Sequence, residues 1–407
     1  MTEVDCPPKP LECYLIQAHQ PVILKLPSGN HKFVKVVPGE YCNLGKFGKF
    51  QNDDIIGRPF GLTFEIIDRG HARPAKAQTL DAVEETTATN REIFDNPAAQ
   101  QLSHEEIEQL KKSSLAGDVT HEELIGKVVE NNLSFEQKTE FSKAKYIERK
   151  KKKFGKKFTV VEPTLHNVCN LYFSKNPMKI RDLRVDTLSQ VVTSANLNAY
   201  SKILVVDDTQ GLVLSAALSR ISPLGNVIAV HESDSVSYDV LKHMNFPESI
   251  MERLHLISWS RVSRDCAELV SYERRVKAYR RTKATQELLW GGNLDGIIIA
   301  SHYDPVSILD ELVPYIGGSR PIVVYSPDKE TLLAAAAQLK VKPDYLNPQI
   351  TESWMREYQV LPGRTHPTMT MSAGGGYLLT AGRRLHIGRV GVIQLGVGLE
   401  HLISGEL

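Results

Sequence analysis

Cysteine is scarce in this chain. Five of 407 residues are Cys (Cys6, Cys13, Cys42, Cys169, Cys266), with no CxxC pair and no dense spacing. That pattern excludes a disulfide framework and a zinc ribbon, and leads us to expect a reducing, intracellular setting. Long hydrophobic runs are also lacking. No uninterrupted apolar stretch approaches bilayer length, and "MTEVDCPPKP" at the start has no apolar core of a signal peptide. A soluble protein without membrane attachment is the expectation. A net excess of charge is missing too, at +1, but this near-zero sum averages over unlike regions. Residues 81–140 carry 14 acidic side chains against 5 Lys or Arg, whereas "SKAKYIERKKKKFGKK" (142–157) carries nine Lys or Arg and one Glu. So abrupt a switch marks a functional segment more clearly than the total does.

With 42% hydrophobic residues, a chain of this length fills two or three domains. Residues 1–80 read as a β domain. "PVILKL" and "HKFVKVV" flank the turn-forming "PSGN", which predicts a hairpin, and short aromatic and β-branched runs punctuated by glycine follow. A small barrel or folded sheet fits this spacing. Residues 81–157 read as a helical linker that ends in a basic strap. Ser103 with Glu106, and Thr120 with Glu123, have the spacing of capping boxes. The His-Glu-Glu triplets at His104 and His121 lack a second His four residues on, so no zinc site is expected. "KFGK" occurs at Lys46 and again at Lys153, too short a match to claim duplication.

Residues 158–407 read as a doubly wound α/β domain. Strands are predicted at 202–206, 226–230, 295–300 and 321–325, with "SWMREYQVL" and "GGYLLTA" as a late antiparallel pair and "RRVKAYRRTKATQELL" as a basic helical insertion. "KILVVDDTQGLVLSAALSRI" (202–221) then has the shape of a cofactor loop: apolar strand, acidic pair, tight connection, apolar helix. S-adenosylmethionine enzymes of this Rossmann-like fold place acid-x-Gly-x-Gly-x-Gly there, because glycines let the backbone approach the ligand. Here Asp207 takes the acid position, Thr209 the first glycine, Gly211 the second and Val213 the third. After the second strand, His231 precedes Glu232, one place later than the usual ribose-binding acid. The reading is a vestigial site.

Four stretches carry a family resemblance: "GKFGKFQNDDIIGRPFGLTFEI", "KAQTLDAVEETTATNREIFDN", "KTEFSKAKYIERKKKKFGKKFTVVEPT" and "YQVLPGRTHPTMTMSAGGGYLLTA". Across nearly its whole length the chain resembles the non-catalytic subunit of the eukaryotic tRNA (adenine-58 N1)-methyltransferase. The resemblance implies a class I methyltransferase-like domain with no cofactor of its own. It also implies a paralogous catalytic partner that binds S-adenosylmethionine, a heterotetramer with two copies of each subunit, a shared tRNA and a nuclear location. In that catalytic subunit the fourth strand ends in an Asp, followed by Leu-Pro, that faces the target adenine. The corresponding residue here is Ala300, followed by Ser301 and His302, and a methyl group cannot offset the positive charge that N1 methylation creates. Asp304 is four residues too late.

RNA contact is expected from the basic strap: Lys145, Arg149, Lys150, Lys151, Lys152, Lys153, Lys156 and Lys157, interleaved with Tyr146 and Phe154. Arg364 and His366 in "GRTHP", just ahead of "AGGGY", are expected to meet tRNA or the partner. Arg274, Arg275, Lys277, Arg280, Arg281 and Lys283 form a second basic cluster that a plain exposed helix explains equally well. Two other readings stand beside the leading one. The first is an autonomous methyltransferase using Asp207, Gly211, Glu232 and Asp304. The second is a general RNA-binding or translation-associated module.

Overall fold

The computed structural model describes residues 14–67, 70–75, 101–116, 121–132, 135, 143, 146–147, 156–232, 236, 238–263, 276–361, 364–372 and 374–385. The N-terminal half is an antiparallel sheet of order β2-β1-β7-β5-β6, formed by β1 (Pro21–Lys25), β2 (His31–Lys35), β5 (Thr63–Ile67), β6 (His71–Pro74) and β7 (Lys157–Val161). A separate hairpin, β3 (Tyr41–Asn43) with β4 (Lys49–Gln51), shares the same core. The predicted hairpin at "PSGN" is β1–β2, closed by Gly29 at φ 85°. Strand β7 follows the basic segment and lies between β1 and β5, so a boundary at 157/158 falls inside this sheet. Its Phe158 ring stacks on Phe50 at 4.3 Å and Phe64 at 5.6 Å in the middle of the core.

Of the linker, two helices are described, His104–Ala116 and His121–Glu130. The predicted capping box closes the first: Glu106 N–H donates to Ser103 Oγ at 3.2 Å, and Ser103 N–H donates to Glu106 Oε2 at 2.8 Å. This reciprocal pair satisfies two backbone donors that a helix start leaves orphaned.

The C-terminal half is a seven-stranded sheet of order β10-β9-β8-β11-β12-β16-β13. Four strands are the predicted ones: β8 (Lys202–Asp207), β9 (Asn226–His231), β11 (Gly296–Ala300) and β12 (Pro321–Ser326). β10 (Leu254–Ser258) extends the parallel set. β16 (Tyr377–Arg383) runs antiparallel between β12 and β13 (Tyr345–Glu352). The expected pairing of "SWMREYQVL" with "GGYLLTA" does not occur. Instead β14 (Tyr358–Leu361) pairs with β15 (Arg364–Pro367) as a two-stranded hairpin of its own. The "GRTHP" segment is thus mostly strand.

The central parallel strands β9, β8, β11 and β12 are buried on both faces, as parallel strands flanked by helices must be. Alternation splits each of these four strands between two cores. Ile203, Val205, Ala229, Ile298 and Ala300 face one, while Leu204, Val206, Ile228, Ile297 and Ile299 face the other. The chain leaves β8 toward β9 on one side and later returns through β11 on the other. This reversal opens a crevice at the carboxyl ends of β8 and β11, where ligands bind in such folds.

Candidate cofactor site

Around the crevice the loop residues serve one another. Asp207 ends β8, in register with Ala300 of β11. Its Oδ1 accepts from Thr209 N–H at 2.5 Å and Thr209 Oγ1 at 2.6 Å, and its Oδ2 accepts from Leu214 N–H at 2.8 Å. Burial raises the Asp207 pKa, the hydrogen bonds from Thr209 and Leu214 oppose that rise, and the nearby charge of Asp208 adds to it. Thr209, at the first glycine position, does more than donate to Asp207. Its hydroxyl also accepts from Val213 N–H at 3.2 Å, near the start of the helix Leu212–Leu218. Val213 is fully buried in the core behind the sheet. Each departure from the glycine pattern therefore has a structural occupation.

Gly211, the glycine that remains, is left-handed at φ 85° and follows Gln210 at φ 59°. A Cβ on it would stand 2.6 Å from Tyr238 Cβ and 3.1 Å from its Cγ. The close approach that a cofactor loop reserves for its ligand is here given to Tyr238. The segment is tied down further by Val240 N–H, which donates to Gln210 O at 3.2 Å. Burial, helped by the charges of Asp207 and Asp208, raises the Tyr238 pKa.

Two further carboxylates at the crevice are engaged from β11. Three donors converge on Asp208 Oδ2: Ser301 Oγ at 2.7 Å, His302 N–H at 3.0 Å and His302 Nδ1 at 2.6 Å. Strand β9 ends at His231, and Glu232, just beyond, accepts from the Tyr303 hydroxyl. That hydrogen bond is the main reason the Tyr303 pKa rises to about 12. Ala300 is fully buried in the core beside these groups. Asp304 does not replace the lost carboxylate. It caps the helix Pro305–Leu312, accepting from Ser307 N–H at 2.9 Å and Ser307 Oγ at 2.8 Å. Burial raises its pKa, but these bonds, with Val306 N–H and the Lys342 charge, hold it below the usual value.

Two of the three glycines of "AGGGY" are also spent within the chain, whereas Gly374 borders open space. A Cβ on Gly375 would meet Thr187 Oγ1 at 2.7 Å and Arg184 Nε at 3.0 Å, and one on Gly376 would meet the Tyr325 ring at 2.4 Å. Arg184 is buried, pairs with Asp186 at 2.7 Å and donates to the carbonyl of Ser372 at 3.3 Å. Room for these side chains accounts for Gly375 and Gly376.

Of the expected RNA contacts, Lys145, Arg149, Lys150, Lys151, Lys152 and Lys153 lie outside the described residues, while Lys156 and Lys157 lead into β7. Arg364 pairs through its backbone with Leu361, and His366 is half-buried in β15 with Nδ1 3.1 Å from Pro367 O. On the helix Val276–Trp290, Arg280, Arg281 and Lys283 are exposed. Sequence reasoning missed Tyr238 and Tyr303, which carry no motif, and took Asp208 only as the second acid of the pair.

Comparison with known proteins decides the family. The Gcd10p family model matches residues 15–287. The chain belongs to the Gcd10p family. Three similar relatives are tRNA (adenine(58)-N(1))-methyltransferase non-catalytic subunits. The protein from Debaryomyces hansenii is 30% identical, over 97% of this chain and 92% of its own. The one from Schizosaccharomyces pombe is 31% identical, over 90% of this chain and 91% of its own. The mouse protein of the same name is 28% identical, over 92% of this chain and 89% of its own. Among solved structures, an S-adenosylmethionine-dependent O-methyltransferase from Thermotoga maritima matches with a TM-score of 0.53 at 11% identity, covering 92% of this chain and 96% of its own. That likeness fixes the fold of this Gcd10p family member as methyltransferase-like.

Proposed function

We propose that this chain is the non-catalytic, tRNA-binding subunit of a tRNA (adenine-58 N1)-methyltransferase complex, paired in a nuclear heterotetramer with a paralogous subunit that binds S-adenosylmethionine and performs the transfer. The carrying observation is the loop filled from within. Tyr238 takes the close approach at Gly211, and Asp207 and Glu232 are hydrogen-bonded to the chain's own donors. Residues arranged in this way do not fit S-adenosylmethionine as the glycine motif would hold it. Ala300 adds a second loss, since its buried methyl offers nothing to a purine that is becoming cationic. The names of the relatives support the same reading.

A partner also accounts for the surface. Trp354, Val360 and Met369, in and beside the β14–β15 hairpin, are 80%, 73% and 84% exposed. Large apolar groups gathered so closely in sequence suit a covered interface. Lys145, Arg149 to Lys153, Lys156, Lys157, Arg364 and His366 would then be set toward tRNA, where each neutralised phosphate releases counterions.

Reconstitution tests this reading. Methyl transfer to tRNA is expected only when this chain and the catalytic subunit are combined, with none from this chain alone at millimolar S-adenosylmethionine. Transfer by this chain alone would establish the autonomous enzyme. Equal salt-corrected affinity for tRNA and for unrelated RNA of similar charge would favour a general RNA-binding module.

A further inference from the structure

The first "KFGK", Lys46 to Lys49, forms most of the turn of the β3–β4 hairpin. The pleat turns Cys42 and Phe50 into the core and leaves Tyr41, Asn43 and Lys49 exposed. Phe47 anchors the turn from below, buried in the same core. Above it, Lys46 Nζ lies 5.0 Å from the Phe47 ring centroid, and Lys49 Nζ lies 5.1 Å from that of Tyr41. From β2, Lys32 Nζ reaches the hairpin and donates to Asn43 O at 2.7 Å. The Tyr41 ring is 53% exposed. Gly70, left-handed at φ 79°, leaves it room: a Cβ there would stand 3.2 Å from Tyr41 Cε1.

Charge on this face is uncompensated among the described residues: no carboxylate forms an ion pair with Lys32, Lys46 or Lys49. The acids that follow the hairpin are committed elsewhere. Asp53 accepts from Gly39 N–H at 2.8 Å, and Asp54 accepts from Ala72 N–H at 2.7 Å. The second "KFGK" ends beside the first. Gly48 borders Ile66, whose Cγ2 would stand 3.7 Å from an added Cβ, and Ile66 N–H donates to Lys156 O at 2.8 Å. The strap predicted to bind RNA thus rejoins the fold on β5, at the residue that borders this hairpin.

We infer that the face made by Tyr41, Lys46, Lys49 and Lys32 binds RNA, with the lysines on phosphates and the Tyr41 ring stacked on an unpaired base. This rests on the reading of the chain as a tRNA-binding subunit and names one of its contact sites. A half-exposed aromatic ring beside ammonium groups that have no carboxylate partner among the described residues offers what an unstacked nucleotide needs, a π surface for the base and cations for the flanking phosphates. An acidic protein surface would use the lysines and have no need of the ring.

The test uses the complex reconstituted with its catalytic partner and measures tRNA affinity at low and high salt. K46A/K49A is expected to weaken binding about tenfold near physiological salt and to reduce the log–log salt slope by about 1.5, as loss of two phosphate contacts requires. Y41A is expected to weaken it roughly 5- to 150-fold, the range for losing one base–aromatic stack. Y41F keeps the ring and is expected to stay within about twofold of the parent. Because these side chains are exposed, unchanged thermal midpoints confirm that folding is intact. Variants that bind tRNA as the parent does at both salts overturn the inference and leave the proposed function standing. Loss of partner assembly with unchanged tRNA affinity per assembled complex also overturns it, in favour of a protein contact. A parent complex that binds no tRNA overturns both.

Discussion

Gly211→Val is expected to destabilise the chain by roughly 2–5 kcal/mol. Two costs combine. At φ 85° a side chain enters the left-handed region, at about 1–2 kcal/mol. Its Cβ would also overlap Tyr238 Cβ at 2.6 Å, and relieving such overpacking costs about 1–3 kcal/mol. The second cost depends on Tyr238, so a double-mutant cycle separates them. With Tyr238→Gly in the background, which removes the Cβ as well as the ring, the Gly211→Val penalty is expected to fall by about 1–3 kcal/mol. Urea denaturation of the four proteins reads the coupling directly. Additive effects would mean that Tyr238 does not fill the loop.

Phe158→Ala is expected to cost about 3–5 kcal/mol, the range for emptying a buried aromatic site. The ring is 1% exposed and lies against Phe50 and Phe64, so nothing nearby can collapse into the space without breaking both stacks. Phe158→Leu keeps most of the volume and is expected to cost less than about 1.5 kcal/mol. The loss falls on the N-terminal sheet, because β7 is its central strand. It also frees the end of the basic segment that β7 anchors, so tRNA affinity of the complex is expected to drop with the fold. Denaturation monitored on the N-terminal sheet checks the first effect. A penalty below about 1 kcal/mol would contradict the central place given to β7.

The legible parts of the fold were those with local signals. β8, β9, β11 and β12 are short apolar runs because both of their faces are covered, and each was visible as such. β10 was not: "LHLIS" lies at the sheet edge, with His255 half-buried and Leu256 exposed, so its pattern is diluted. β13 was hidden by its register shift between Leu346 and Gln349, where Asn347 is left-handed and Pro348 follows. Without β13 the neighbours of β16 could not be assigned. β7 looked like the start of the second domain, because its pairing with β1 depends on contacts as distant as Ile23 with Val161.

The crevice divides along the same line. Thr209, Val213 and Ala300 were legible as losses, since a motif fixes what should stand at each position. What replaced the chemistry was not legible. Tyr238 reaches Gly211 from 27 residues along the chain, and His302 and Tyr303 meet Asp208 and Glu232 only once β11 lies beside β8. No spacing rule connects these residues, since the sheet reversal that joins them is a property of the whole topology.

Calorimetric titration of S-adenosylmethionine into the reconstituted complex tests the central claim most directly. The account predicts one molecule bound per catalytic subunit and none on this chain, a ratio of one for each pair of subunits. Two molecules per pair, with one lost on mutation of Asp207, would contradict it.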